Sequence, residues 1–387
     1  MFQLQRFVPD LIIMSTGALA LRQLGRWAPE STERRHFATV RRAALTVGYG
    51  ILTAGFLSTL LSCADFPLGN RLMLARGIGF ALGLSLCGAL PFAAILRMRR
   101  RPVEPPVGPP GRREFLQSAL STSLLISPAA VMAFGIVIGR DRFRLTEVEL
   151  SIPGLHPDLE GLKLVQLSDM HLSPFLSRAE LARCVDLANS TRAHMALVTG
   201  DLVTGVLDSV DDCLDELKRL RSDAGTFGCL GNHEIYIGGE AYVAAEGAKL
   251  GMRFLRQDSA SLQFGSGHLN VAGVDFQPTR KNCLQNAGRL RREGQCNLLL
   301  SHNPDVFPVA AAQKWDLTLA GHTHGGQLNF EIMKQNLNLA LLMTPYVYGT
   351  YTHGNAAMFV TRGIGTISVP ARIGADPEVA LLRLRKA

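Results

Sequence analysis

Two rhythms of apolar and polar positions divide the 387-residue chain. Before about residue 140, apolar residues come in long uncharged blocks at 43–63, 77–96 and 115–139. Each is as long as the roughly 20 helical residues needed to cross a hydrocarbon core. A shorter block, 11–21, ends at Arg22 and is read as a further crossing, with a re-entrant or interfacial helix as the alternatives. After Arg144 the apolar runs shorten and alternate with polar, helix-like stretches, the pattern of α/β layering. Buried strands are predicted to begin LKLVQLSD (162–169), MALVTGD (195–201), TFGCLGNHE (226–234), CNLLLSH (296–302) and WDLTLAGHTH (315–324). Helices are predicted over 177–190, 208–222, 240–250 and 281–292. The chain then divides into about three membrane helices within 1–98, a Pro- and Arg-rich linker over 99–114, a final membrane helix over 115–139, and a folded domain over 145–387.

Charge sharpens this division. Residues 1–142 carry 17 Arg against 7 acids, whereas 143–387 carry 23 Lys and Arg against 25 acids. The basic excess therefore sits among the membrane blocks, and the folded domain lacks the cationic surface a phosphate-backbone binder needs. No nucleic-acid binding is expected. Arg22, Arg26, Arg34, Arg35, Arg41 and Arg42 lie between the first two blocks. Arg97, Arg99, Arg100, Arg101, Arg112 and Arg113 lie between the last two. Positive loops stay on the cytoplasmic side, so the last helix leads outward and the folded domain is expected outside the cytoplasm.

GRREFLQSALSTSLL (111–125) is similar to a twin-arginine export signal, although it is internal and has Gln where a basic residue is common. Ordinary positive-inside arginines before a helix explain it equally well. Either way an uncleaved anchor is expected. The seven cysteines form no C-x-x-C pair and no even framework. That is unusual for a domain folded by oxidation, and it suits one that folds in the cytoplasm.

All five predicted strands run directly into metal-binding side chains. Asp169 and His171 follow the first, Asp201 the second, Asn232 and His233 the third, His302 the fourth, and His322 and His324 the fifth. Open α/β sheets bind ligands at the carboxyl ends of their strands, so these donors can meet in one crevice. Imidazoles and carboxylates without thiolates suit zinc, manganese or iron. Both 169/171 and 322/324 are spaced one residue apart, which puts each pair on one face of an extended tip. Gly321, Gly325 and Gly326 let the backbone come close.

D-x-H, G-D, G-N-H-E, a lone His after a strand, and G-H-T-H, in this order over roughly 160–330, resemble the calcineurin-like metallophosphoesterase family. RGIGTISVPARIGADPEVALLRL (362–384) resembles the C-terminal end of its membrane-attached bacterial phosphodiesterases. The resemblance implies a four-layer α/β/β/α sandwich behind an N-terminal bundle of transmembrane helices, in a multi-pass protein of a bacterial inner membrane. It implies two divalent ions, Mn, Zn or Fe. One would be held by Asp169, His171, Asp201 and His324, the other by Asp201, Asn232, His302 and His322. His233 would face the substrate, stabilising charge or protonating the leaving oxygen, and Glu234 would support the ligands from behind. The implied reaction is hydrolysis of a phosphodiester or pyrophosphate in a membrane-associated or lipid-linked substrate, by water activated between the ions. A phosphomonoesterase or protein phosphatase of the same fold, and a phosphate-binding sensor, are the alternatives.

His36, His156, His194, His268 and His353 have no motif context and are read as surface or satisfied buried residues, His353 with the option of a pocket rim. Asn303 and Asp305 are read as caps around Pro304. The apolar stretch NFEIMKQNLNLALLM (329–343) is read as core packing, with acyl-chain contact beside the site as the alternative.

Overall fold

The computed structural model describes residues 2–27, 35–63, 69–99, 112–206, 208–277, 283–332 and 335–387. The chain forms two compact units, 1–137 with 368–371, and 138–367 with 372–387.

The first unit contains α1 (Phe2–Trp27), α2 (Arg35–Cys63), α3 (Asn70–Arg99) and α4 (Arg112–Val137). Glycines let these helices approach closely, as is usual where helices pack without a hydrophobic drive. A Cβ at Gly17 would lie 2.7 Å from Gly83 Cα, and one at Gly55 would lie 2.9 Å from Gly79 Cα. Ser58, Thr59 and Ser85 return their hydroxyls to carbonyls one turn back. Asp10 is buried and accepts from Arg76 Nε at 2.8 Å and Nη2 at 2.6 Å. Among the described residues, three stretches can cross a membrane by length and composition: Arg42–Ser62, Asn70–Leu96 and Ser123–Asp141. Residues 11–21 lie within α1, which is not among them. Most of the linker expected over 99–114 lies outside the described residues.

The second unit is a sandwich of two six-stranded sheets between helical layers. Its strands are β1 (Arg144–Ile152), β2 (Lys163–Leu167), β3 (Met195–Thr199), β4 (Thr226–Cys229), β5 (Met252–Phe254), β6 (Asp258–Phe264), β7 (Gly267–Gly273), β8 (Cys296–Leu300), β9 (Leu317–Ala320), β10 (Asn329–Ile332), β11 (Gln335–Asn338), β12 (Gly349–His353), β13 (Ala356–Val360) and β14 (Glu378–Lys386). One sheet runs β1-β14-β2-β3-β4-β5, the other β12-β13-β9-β8-β7-β6, and β10 with β11 makes a separate hairpin. In the first sheet β2, β3, β4 and β5 are parallel; in the second β7, β8, β9 and β13 are.

Strand periodicity builds the layers. Leu164, Met195, Leu197, Leu298, Leu300, Leu317 and Leu319 point into the core between the sheets. Their neighbours Val165, Ala196 and Val198 point outward onto α5 (Arg178–Ser190), α6 (Val210–Leu217) and α8 (Glu240–Lys249). Leu299 faces the other way, toward Trp315 and Ala310 of α9 (Phe307–Ala312). A short helix, α7 (Asn232–Tyr236), follows β4. All five predicted strands are present, and helices occupy three of the four predicted stretches. The fourth, 281–292, contains only a 3₁₀ turn at Ala287–Leu290 among its described residues. Leu284 (φ 54°) and Asn286 (φ 63°) are left-handed there and interrupt any helix. Core packing also fails for the end of the 329–343 stretch, since Leu339, Leu341, Leu342 and Met343 are exposed.

Candidate metal centre

β2, β3 and β4 end together in one sheet and β8 and β9 in the other because each is parallel to its neighbour, and the proximity of Asp201 to His302 shows that both sets end on the same side of the sandwich. The loops leaving them carry the predicted donors, which lie almost entirely out of solvent. Three groups bring ligand atoms within 4.8 Å of one another: Asp169, His171 and His324; His171, Asp201 and His233; and Asp201, His302 and His322. Asp201 Oδ2 stands between two imidazoles, 3.4 Å from His171 Nε2 and 3.0 Å from His302 Nε2. Asp169 Oδ1 lies 3.4 Å from His324 Nε2 and 3.9 Å from His302 Nε2. His171 Nε2 and His324 Nε2 are 3.1 Å apart, and His322 Nδ1 is 3.2 Å from His302 Nε2.

The backbone is bent to make this convergence. Asp169, His171, Asp201, His322 and His324 all have positive φ, between 47° and 74°. Non-glycine residues seldom adopt that region, and such strain concentrates at functional sites. Two glycines are required by the close approach. A Cβ at Gly321 would collide with Ser168 Oγ and Asp169 Oδ2, and one at Gly231 would collide with Asp201 Oδ1.

The surrounding groups fix which imidazole nitrogen faces inward. His302 Nδ1 lies 2.6 Å from Thr199 O and His233 Nδ1 lies 2.7 Å from Thr204 O. A carbonyl can only accept, so both rings carry a proton on Nδ1. His171 Nδ1 lies 3.3 Å from Thr204 Oγ1. Glu234 is buried and accepts from the amides of Asp201 (3.0 Å), Leu202 (2.8 Å) and Gly231 (2.7 Å). It therefore ties the strained Gly-Asp turn after β3 to the start of α7.

The electrostatics call for cations. Burial raises the Asp169 pKa. Burial works against Asp201 too, but the imidazoles of His302 and His233 hold it well below the usual carboxylate range. Burial likewise opposes the His302 charge, yet Asp201 and Asp169 push its pKa up to about 10. A proton on His302 thus supplies positive charge that the two carboxylates demand. His322, by contrast, is pushed down to about 4 by burial and by His302, which leaves its ring neutral. Asn232 Oδ1 is buried with no hydrogen-bond partner, which costs about 1–3 kcal/mol unless something else satisfies it. An orphaned oxygen, neutral imidazoles and paired carboxylates together suit bound divalent cations.

Sequence reasoning missed four neighbours. Phe276 lies 5.3 Å from the His322 ring and 6.0 Å from the His302 ring. Tyr236 lies 5.3 Å from the His233 ring. Thr204 orients two histidines, as above. Arg372 is buried, donates to the carbonyls of Gly365, Arg362, Ala375 and His324, and reaches to 3.3 Å from His324 Nδ1. It straps the C-terminal loops to the His324 turn. Only Arg372 had a signal, its place in the 362–384 stretch. Asn303 caps as expected, its Oδ1 accepting from Asp305 N. His156 and His194 each accept a backbone amide, while His353 is exposed on β12 with its ring 6.5 Å from Phe307.

Residues 162–326 match the family described as calcineurin-like phosphoesterase. An uncharacterized metallophosphoesterase of Helicobacter pylori (strain J99) is 30% identical over 286 residues, 71% of this chain and 73% of its own. Phosphodiesterase YaeI of Escherichia coli K12 is 30% identical over 286 residues, 70% of this chain and 98% of its own. A Danio rerio transmembrane protein with metallophosphoesterase domain is 28% identical over 287 residues, 70% of this chain and 64% of its own.

Removing the Glu234 carboxylate tests the tie between β3 and α7. In Glu234→Ala three buried amides lose their acceptor, at about 1–3 kcal/mol each. Denaturant unfolding of the full chain in detergent should show a loss of several kcal/mol. A loss under about 1 kcal/mol would mean the turn is held by other contacts.

Proposed function

Because the chain belongs to the calcineurin-like metallophosphoesterase family, and is therefore a phosphoester hydrolase, we propose that it cleaves phosphodiester or pyrophosphate bonds with two divalent ions sharing Asp201. The supporting observation is the position of Asp201 Oδ2 between His171 and His302, each belonging to a different three-residue donor group. Asp169, His171, Asp201 and His324 would hold one ion. Asp201, Asn232, His302 and His322 would hold the other. When bound, such a pair neutralises phosphoryl oxygens and lowers the pKa of water toward neutrality.

The protein's own groups do the rest. Glu234 keeps the Asp201 turn rigid, so the shared carboxylate does not swing away as charge builds on the phosphoryl group. His302 and His171 are held by Thr199 and Thr204 with their Nε2 atoms turned toward Asp201. His233 anchors Nδ1–H on Thr204 O, which assigns proton exchange with the leaving oxygen to Nε2. An imidazole protonated on both nitrogens can pass the Nε2 proton to the leaving oxygen. A specific observation favours a second role: His233 also groups with His171 and Asp201 as a possible ligand.

The substrate is taken to be membrane-associated, its phosphate linked to a lipid. Support comes from the three membrane-capable stretches and from the Danio rerio relative's name. The two arginine-rich loops flank α2 and α3 on the same side, so the outward direction of α4 does not depend on whether α1 crosses. This supports a catalytic unit outside the cytoplasm of a bacterial inner membrane.

Two measurements check this reading. With Mn or Zn supplied, the purified chain should hydrolyse bis(p-nitrophenyl) phosphate faster than p-nitrophenyl phosphate, and His233→Ala should keep its metal while losing about 10²–10⁴ in turnover. Preference for the monoester would sink the diester assignment, and metal loss in His233→Ala would make His233 a ligand. For topology, protease added to intact spheroplasts should digest the catalytic unit without lysis. Protection until the membrane is broken would place the catalytic unit inside.

A further inference from the structure

In the catalytic unit, exposed apolar side chains are confined almost wholly to segments that leave the ligand-bearing strands. Among its described residues, Val206 follows β3, Ile235 and Tyr236 follow β4, and in the longer excursion after β9 Phe330 lies on β10 while Leu339, Leu341, Leu342 and Met343 follow β11. The exceptions are Ile138, where the unit begins, and Tyr242, whose hydroxyl donates to Asp211. No other large apolar side chain among the unit's described residues is exposed. Scattered apolar residues need no explanation, but a concentration around one site does.

The largest part of this rim is a single short turn. Leu339–Leu342 forms a 3₁₀ helix whose end protrudes, with Leu342 85% and Met343 80% exposed. Residues 335–348 contain no charge. The turn is not a loose loop. Asn338 Nδ2 donates to Gly325 O at 2.9 Å, and Thr344 Oγ1 donates to Asp305 Oδ1 at 2.6 Å. Thr323 Oγ1 donates to Val347 O. The apolar turn is thus pinned at both ends to the loops that carry His322, His324 and His302. A rigid, uncharged knob of large aliphatic side chains, with Tyr346 and Tyr348 close behind, has the composition of a segment that enters the headgroup–acyl boundary.

We infer that the rim formed by Val206, Tyr236, Leu339, Leu341, Leu342 and Met343 docks on a lipid bilayer and so presents the metal centre to phosphoesters in lipid headgroups. The bilayer is preferred to a protein partner because the same chain holds membrane-capable helices. β1 begins seven residues after α4 ends, and seven residues span at most about 25 Å. That tether keeps the catalytic unit within a short reach of the bilayer. Docking leaves the phosphate at the surface, where the donors lie, and spares the enzyme from extracting its substrate into water. This inference rests on the membrane-associated substrate read above, although its first test does not.

The full chain in nanodiscs of phosphatidylethanolamine and phosphatidylglycerol supplies that test. Leu342→Cys and, as control, Gln263→Cys are labelled with bimane, and labelling of the unsubstituted chain is subtracted. Gln263 is exposed on β6 near the turn at Gly265, which lies at the end of the sheet remote from the metal loops. Shallow-brominated lipids should quench the label at 342 strongly and leave that at 263 unaffected. Equal quenching at both positions, or none at 342, overturns the inference, including the case where a second protein covers the turn. The second arm compares substrates. In L342S/M343S, turnover of bis(p-nitrophenyl) phosphate should be unchanged, whereas KM for hexadecyl p-nitrophenyl phosphate in the same nanodiscs should rise about tenfold with kcat retained. An unchanged KM contradicts the docking role. If the unsubstituted chain turns over neither compound, the phosphodiesterase reading fails, and the quenching result still decides the surface.

Discussion

Two buried carboxylates in one dry cleft cannot both keep their charge without positive partners close by. Asp169 and Asp201 stand in that position, and much of the second unit's local architecture answers to it. Five imidazoles crowd around them, and three of the five loops, those after β2, β3 and β9, are forced through left-handed backbone to bring those groups into range. Two glycines give up their side chains so that the carboxylates can fit. Such strain is sustained only where the surrounding structure over-determines it. Here the surroundings are two sheets whose shared core of leucines fixes where the strands end, and a buried glutamate and a buried arginine that lash the loops together.

Much of this was legible in the sequence. Five apolar runs each ended in a donor, and the parallel pairing of β2, β3 and β4, and of β8 and β9, turned that linear pattern into a common edge. What escaped were elements whose signal is not local. β1 and β14 pair across more than two hundred residues of intervening chain and look unremarkable alone. The expected helix over 281–292 has suitable polar spacing, but Leu284 and Asn286 adopt a backbone that propensity does not encode. Arg372 acts through carbonyls brought near only by the completed fold. The exposure of Leu342 and Met343 escaped for the opposite reason: apolar character predicts burial on average, and these two side chains stand in solvent.

The two units carry different physics. In the first, glycines and hydroxyls returned to the backbone allow close helix packing. In the second, polar atoms are concentrated where the chemistry needs them, and apolar side chains reach solvent mainly around that same place.

Metal stoichiometry and magnetic coupling in the Mn(II)-loaded chain test the central claim most directly. Elemental analysis combined with electron paramagnetic resonance should find two ions per chain with a multiline signal from spin coupling, and Asp201→Asn should abolish the coupling. One ion per chain, or two that remain magnetically independent, would contradict a pair joined through Asp201.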